Sequence, residues 1–228
     1  MSRRPDIHRQ PLTAERIVAT ALELIDAEGL DQLSIRRLGD ALAVQGMAVY
    51  RHVRGKDEIL DGVRRLLVEE FGDRLAAAGP FADWRTHLRA FGTCYRDVGR
   101  AHPDAFGLLA TNAVTAWSHG RDVAAAALTA LLDAGFDEDT AIGAERTVIR
   151  YAIGFTLIEA ANADDPSAPA PPPDDVARTH PSIGRLVQTL SPADGSEDLF
   201  HLGLDLILDG LAFRLSHPRP SAATADGR

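Results

Sequence analysis

Apolar residues recur every three or four positions through most of this chain, and nowhere do they alternate for long enough to suggest a strand. Ile17, Val18, Ala21, Leu24 and Ile25 fall on one helical face behind Thr13, which reads as an N-cap, and the run ends at Glu28 and Gly29. Ser34 caps a short second helix with Ile35, Leu38 and Leu42 on its inner face. The stretch "AVQG" then leaves room only for a sharp corner. A third short helix carries Gln45, Gly46, Met47, Ala48, Tyr50, Arg51 and His52, with Val49 and Val53 turned inward, and stops before "RGKDEIL".

The helical period continues. Ile59, Leu60, Val63, Leu66, Leu67 and Phe71 make an apolar stripe on a long helix over 56–78. Further helices are expected over 83–100, 103–109, 113–134, 137–161, 182–190 and 196–215. The chain is therefore read as all-α. Between 162 and 181 the text "NADDPSAPAPPPDDVARTHP" can neither hold a helix nor bury a core, so a mobile loop is expected there, and residues 218–228 read as a disordered tail. The last helix is apolar over more than one face, through Leu199, Leu202, Leu206, Ile207, Leu211 and Phe213. Gly203 and Gly210, seven residues apart, would let another helix approach closely. Such a helix calls for two partners, its own bundle and a second copy of the chain.

Two short helices joined by a tight corner have helix-turn-helix geometry, in which the second helix presents side chains to the major groove while the first braces the backbone. Charge supports this. The chain carries a formal net charge of −9, yet between Ser34 and Lys56 stand Arg36, Arg37, Arg51, Arg54 and Lys56 against Asp40 alone. A cationic window on an acidic protein is the footprint of a polyanion held at one end only, and double-stranded DNA is the polyanion with regularly spaced charge. Other chemistries find less support. The single cysteine, Cys94, cannot form an internal disulfide, and the eight histidines never fall within one helical turn of each other, so zinc spacing is absent. His87, His102 and Asp104 lack any surrounding catalytic motif, so no enzymatic role is expected. The start, "MSRRPDIHRQPLTAERI", has no apolar leader and no run is long enough to span a membrane, which places the chain in the cytoplasm.

The segment "TAERIVATALELIDAEGLDQLSIRRLGDALAVQGMAVYRHVRGKDEILDGV", with its V-Y-x-H-V core followed by K-D-E-I-L, resembles the DNA-binding domain of the TetR family of bacterial transcriptional repressors. "DWRTHLRAF", "LLDAGF", "IGFTLIEA" and "DLFHLGLDLILDGLAFRL" resemble the ligand-binding domain of its tetracycline-repressor branch. The resemblance implies a helix-turn-helix domain over 1–58 and a helical ligand-binding and dimerisation domain over 59–217. It assigns DNA contact to Arg36 and Arg37 on the second helix, to Gln45, Gly46, Met47, Tyr50, Arg51 and His52 on the third, and to Lys56 at the start of the fourth. Family members often carry Ser or Thr where Ala48 stands, so one hydroxyl contact to phosphate is missing. Beside it Met47 suits a thymine methyl. Tyr50 is either a core brace or a backbone contact.

The resemblance also implies a homodimer built as a four-helix bundle from the family's eighth and tenth helices, with Leu199, Leu202, Gly203, Leu206, Ile207, Gly210 and Phe213 at the contact. For the effector site the expected lining is Phe91, Tyr95, Phe106, Leu109, Trp117, Leu128, Phe136, Tyr151 and Phe155, with Asn112, Thr147 and Thr156 as sparse polar groups, which suits a small hydrophobic ligand. In the tetracycline branch a His and a Glu hold the drug's magnesium. Here the His position falls on Leu109 and the Glu position on Ile158 or Glu159, and Leu cannot hold an oxygen-seeking cation, so neither metal nor cofactor is expected. The expected function is a ligand-responsive repressor that binds a palindromic operator as a homodimer. The alternatives are a regulator whose ligand strengthens DNA binding and a partner- or ligand-binding helical protein with a weakened DNA-binding end.

Overall fold

A computed structural model describes residues 11–111, 113–163 and 196–217, with isolated helical positions at 179, 182 and 183, and leaves the side chains of 111–119, 162 and 163 aside. The Pro-rich segment expected over 162–181 therefore lies outside the described residues, except that its first two residues close a helix and 179 is helical. Most of the helix expected over 182–190 and the tail after 217 lie outside them as well. Among the described residues the fold is all-helical: α1 (Ala14–Glu28), α2 (Ile35–Ala41), α3 (Gly46–Val49), α4 (Lys56–Ala78), α5 (Trp84–Ala101), α6 (Pro103–Thr111), α7 (Ala113–Asp133), α8 (Glu138–Ala163) and α9 (Ser196–Ser216), with a 3₁₀ turn at Leu30–Gln32.

These helices form two compact units that do not follow the chain order. The first takes the chain up to Arg74 together with Val98–Arg121; the second takes Leu75–Asp97 and the chain from Asp122 onward. The boundary expected after residue 58 thus falls inside the first unit, which also gains α6 and the beginning of α7.

In the first unit, local chemistry sets the helix ends. The Thr13 hydroxyl accepts from the Arg16 N–H at 3.2 Å, and the Ser34 hydroxyl accepts from the Arg37 N–H at 3.3 Å. Gly29 leaves α1 at φ +91°, a conformation that side chains disfavour, and donates its N–H to the Ile25 carbonyl at 2.8 Å. Ahead of α4, the Arg54 N–H donates to the Glu58 carboxylate at 2.6 Å. Ile17, Ala21, Ile25, Leu38, Val49, Ile59, Val63 and Leu67 are fully covered and make the core. Leu24 and Ile35 are half-buried, so each lies at the core margin. A Cβ on Gly39 would sit 3.0 Å from the Val44 carbonyl, so glycine allows α2 to close against the corner before α3.

In the second unit the core gathers Phe91 of α5, Leu131 of α7, Val148 and Ala152 of α8, and Phe200, Leu204 and Leu208 of α9. A ladder of opposite charges joins α5 to α9: Arg85 pairs with Asp209, Arg89 with Asp205, and Arg96 with Glu197 at 2.8 Å. Their order reverses along the two helices, so α5 and α9 run antiparallel with basic residues on one and acids on the other.

Candidate nucleic-acid interface and effector core

The corner between α2 and α3 is held by Gly39 and the Val44 N–H bond to the Gly39 carbonyl at 2.9 Å, and it opens a groove lined by Arg36, Asp40, Gln45, Gly46, Met47 and Tyr50 among others. The regular part of the third helix is only Gly46–Val49. Gln45 stands before it in extended conformation, and Tyr50, Arg51 and His52 follow in a tight turn whose N–H groups bond back to Ala48 and Val49 at 3.0–3.2 Å. The reading helix expected over 45–53 is thus one helical turn with a 3₁₀-like extension. Val49 and Val53 are buried as expected and hold this element on the core. Met47 is 74% exposed and Tyr50 51% exposed, so Tyr50 is not a core brace. Gln45, Arg51 and His52 are exposed too, while Gly46 and Ala48 are half-covered.

The cationic window divides by partner. Arg37 is paired with Glu28 of α1. The Lys56 ammonium donates to the Leu33 carbonyl at 2.9 Å, which ties the start of α4 to the end of the 3₁₀ turn and leaves two further donors. Arg36, Arg51 and Arg54 make no ion pair among the described residues, so their charge is uncompensated locally. Arg54 stands beside Lys56 and completes this set; the sequence reading counted it in the charge window without assigning it a contact. The signal that could have found it was its place immediately before α4, where helix N–H groups attract anions.

The expected effector residues lie in both units. Phe106 and Leu109 are buried in the first. In the second, Phe91, Tyr95 and Phe136 are buried and Leu128, Tyr151 and Phe155 half-buried. Asn112 and the side chain of Trp117 lie outside the described residues. Thr147 is a correction: it is exposed, and its hydroxyl donates to the Gly143 carbonyl at 2.7 Å, so it cannot belong to a buried lining. Thr156 is buried with a hydroxyl that finds no partner among the described residues. Burial pushes the Tyr95 phenol well above its ordinary range, with Glu145 adding to the shift, and burial likewise raises the Glu145 carboxyl despite Arg146 and Arg150.

A second cluster escaped the sequence reading. Arg96 is 1% exposed; its guanidinium donates to both oxygens of Glu159 at 2.8 and 2.9 Å, to Glu197 at 2.8 Å and to Ser196 at 3.2 Å. It also lies over the rings of Phe200 and Phe155, at 4.6 and 5.4 Å from their centres. Burial works against its charge, but the bonds from Glu159 and Glu197 prevail and raise its pKa. Both Glu159 oxygens are occupied, since Ser196 adds a third bond at 2.6 Å. With Leu109 at the other expected position, these residues do not fit a hydrated magnesium ion.

The last helix shows an outward stripe. Leu199, Leu202, Leu206, Gly210 and Phe213 are exposed at intervals of three and four, whereas Phe200, Leu204, Leu208 and Leu211 are buried. Ile207 is half-buried. A Cβ on Gly210 would meet open space, but one on Gly203 would overlap the Tyr151 hydroxyl and ring. Gly203 therefore serves the approach of α8 within the chain, a correction to its expected place at a contact between copies. Ile158 of α8 is exposed as well.

Residues 17–63 match the family model described as bacterial regulatory proteins, tetR family, and residues 78–215 match that of the tetracyclin repressor-like C-terminal domain. The class G tetracycline repressor protein of Vibrio anguillarum is 29% identical over 196 residues, which is 85% of this chain and 90% of that protein. Two crystal structures align with TM-scores of 0.68 and 0.69, each covering 89% of this chain and 98% of the other. They are the TetR family protein ActR of Streptomyces coelicolor in complex with (S)-DNPA, 26% identical, and a TetR variant of Acinetobacter baumannii AYE in complex with minocycline, 25% identical.

Proposed function

The chain belongs to the TetR family of bacterial transcriptional regulators, and from that premise we propose that it is a homodimeric repressor which binds a palindromic operator and is released by a small, largely apolar molecule. The observation that carries the DNA-binding part is the exposed groove between α2 and α3, lined by Arg36, Gln45 and Met47, in a segment whose Arg36, Arg51 and Arg54 make no ion pair among the described residues although the chain is otherwise acidic. Arg54, Lys56 and Arg36 grip phosphates and fix the register; Gln45, Met47 and Arg51 read base edges. Met47, so exposed and apolar, contacts a thymine methyl.

A second copy covers the stripe of Leu199, Leu202, Leu206, Gly210 and Phe213, together with Ile158 of α8. Two-fold symmetry then sets two reading heads against half-sites about one helical turn apart. Phe91, Tyr95 and Phe136 of the second unit supply apolar wall for the effector, and the hydroxyl of Thr156, without a partner among the described residues, supplies a polar handle. No divalent ion takes part, because Leu109 offers no ligand and Glu159 is held by Arg96. Effector binding shifts α4, which contributes residues to both units, and changes the separation of the heads.

Gel retardation tests the first step. The purified protein should retard DNA from the neighbourhood of its own gene, and a chelator should leave effector-driven release unchanged. Failure to retard any such fragment, or release abolished by chelator, would overturn the corresponding part.

A further inference from the structure

His102 stands between the end of α5 at Ala101 and the start of α6 at Pro103, inside the first unit. Both ring nitrogens meet carboxylates. Nδ1 lies 2.7 Å from Asp26 on α1, and Nε2 lies 2.8 Å from Glu70 on α4. A neutral imidazole has one N–H, so it can satisfy one of these groups while it turns a lone pair toward the other; an imidazolium donates to both. Closure of this junction on both sides therefore requires the proton.

The charged groups that face His102 are Asp26 from α1 and Glu70 from α4, the latter shared with Arg74 at 2.7 Å; Arg100 and Asp104 flank it two positions away on α5 and α6. Burial works to raise the Glu70 carboxyl, but the bonds from Arg74 and His102 prevail and hold it below the usual carboxylate range. Glu70 is thus an acceptor at neutral pH. The position matters for the reading head. α1 supplies Glu28, which holds Arg37 on α2 beside the groove, and Arg64 of α4 donates to the Leu108 carbonyl of α6 at 3.3 Å. α6 is thereby tied to the helices that carry the head at both ends, through His102 before its start and through Leu108 in its last turn.

We propose that His102 is a positioning residue for DNA binding, whose protonated ring clamps α1 and α4 to the start of α6 and keeps the reading head in its binding geometry. This rests on the DNA-reading assignment of the first unit. A clamped head gives up less conformational freedom when it docks, so DNA binding favours the protonated ring and weakens when that proton is lost.

The test uses the full-length protein and a duplex that it enriches from a random library, with affinity measured from about pH 6 to about pH 8.5 at fixed ionic strength, a span that covers the ordinary histidine range. Wild type should bind roughly fivefold more weakly at the upper end. His102→Gln should resemble high-pH wild type throughout and lose that dependence, whereas His102→Arg, a permanent cation with several donors, should bind tightly across the range. His52→Gln, measured in parallel, removes the histidine of the reading head itself and should retain the part due to His102. Thermal unfolding of each variant checks that the fold persists. If His102→Gln lowers stability yet keeps the wild-type pH profile, His102 is merely structural and the proposal fails. If wild type enriches no duplex at all, the DNA-reading assignment falls and this proposal with it.

Discussion

Leu206→Ala separates contacts within the chain from contacts between copies. Leu206 is 65% exposed on α9, two positions from Leu204, which is fully covered. Full burial of a leucine side chain contributes about 2 kcal/mol, so covering the exposed part contributes about 1.3 kcal/mol per copy and about 2.6 kcal/mol for a symmetric pair. Truncation to alanine removes most of this, about 2 kcal/mol, which is roughly a thirtyfold weaker dimer. The folded monomer loses little, because the side chain is largely uncovered there. Leu204→Ala should do the reverse, lowering unfolding stability by about 3 kcal/mol through the cavity it leaves. Sedimentation equilibrium over a range of concentrations gives the dimer constant, and urea unfolding gives the stability. A Leu206→Ala protein with an unchanged dimer constant would refute the assignment of this stripe to a second copy.

Three further outcomes are expected. Arg54→Ala should weaken binding about equally on all duplexes and reduce the salt slope by about one unit, whereas Met47→Gln should change which duplex is preferred; a fluorescence titration at several salt concentrations separates the two. Arg96→Met should lower unfolding stability by about 3 kcal/mol because it strands Glu159, and Glu159→Gln in the same protein should recover part of the loss in urea unfolding. Burial holds the Glu145 carboxyl above its ordinary 4.5, so the stability tied to its protonated form is full below about pH 4.5 and declines as pH rises through the folded value. Glu145→Gln should therefore raise Tm by about 2–4 °C near pH 7, with the gain fading toward pH 4 in a calorimetric series, if about 1 kcal/mol is recovered.

Much of the first unit was legible because its determinants are local. Thr13, Ser34 and Gly29 act within a few residues of themselves, and the caps and helix ends fell where those residues predicted. The outward stripe on α9 was legible from its spacing, since exposed and buried apolar residues alternate with a helical period. What was hidden depends on distant partners. Arg96 pairs with Glu159 and Glu197, 63 and 101 residues away, and nothing next to it in the chain marks it as buried. The spacing of Arg85, Arg89 and Arg96, mirrored by Asp209, Asp205 and Glu197, was the available clue. His102 was noticed only as a histidine without a motif, because its partners come from two other helices. Gly203 was misplaced for a similar reason: its neighbour is Tyr151 of α8, and a glycine cannot announce which helix approaches it. The third helix came out shorter than expected because Gly46 begins it and the bonds after Val49 tighten, features that hydrophobic spacing does not record.

The most direct measurement is the sequencing of duplex DNA that the purified dimer captures from its genome and from a random library. A symmetric reader with heads of this kind should enrich two inverted half-sites about one helical turn apart, with thymines where Met47 docks, and protection of both half-sites should weaken together when Leu206 or Arg54 is changed. Recovery of a single unpaired half-site, or of no preferred sequence, would contradict the account of this chain as a dimeric operator-binding regulator.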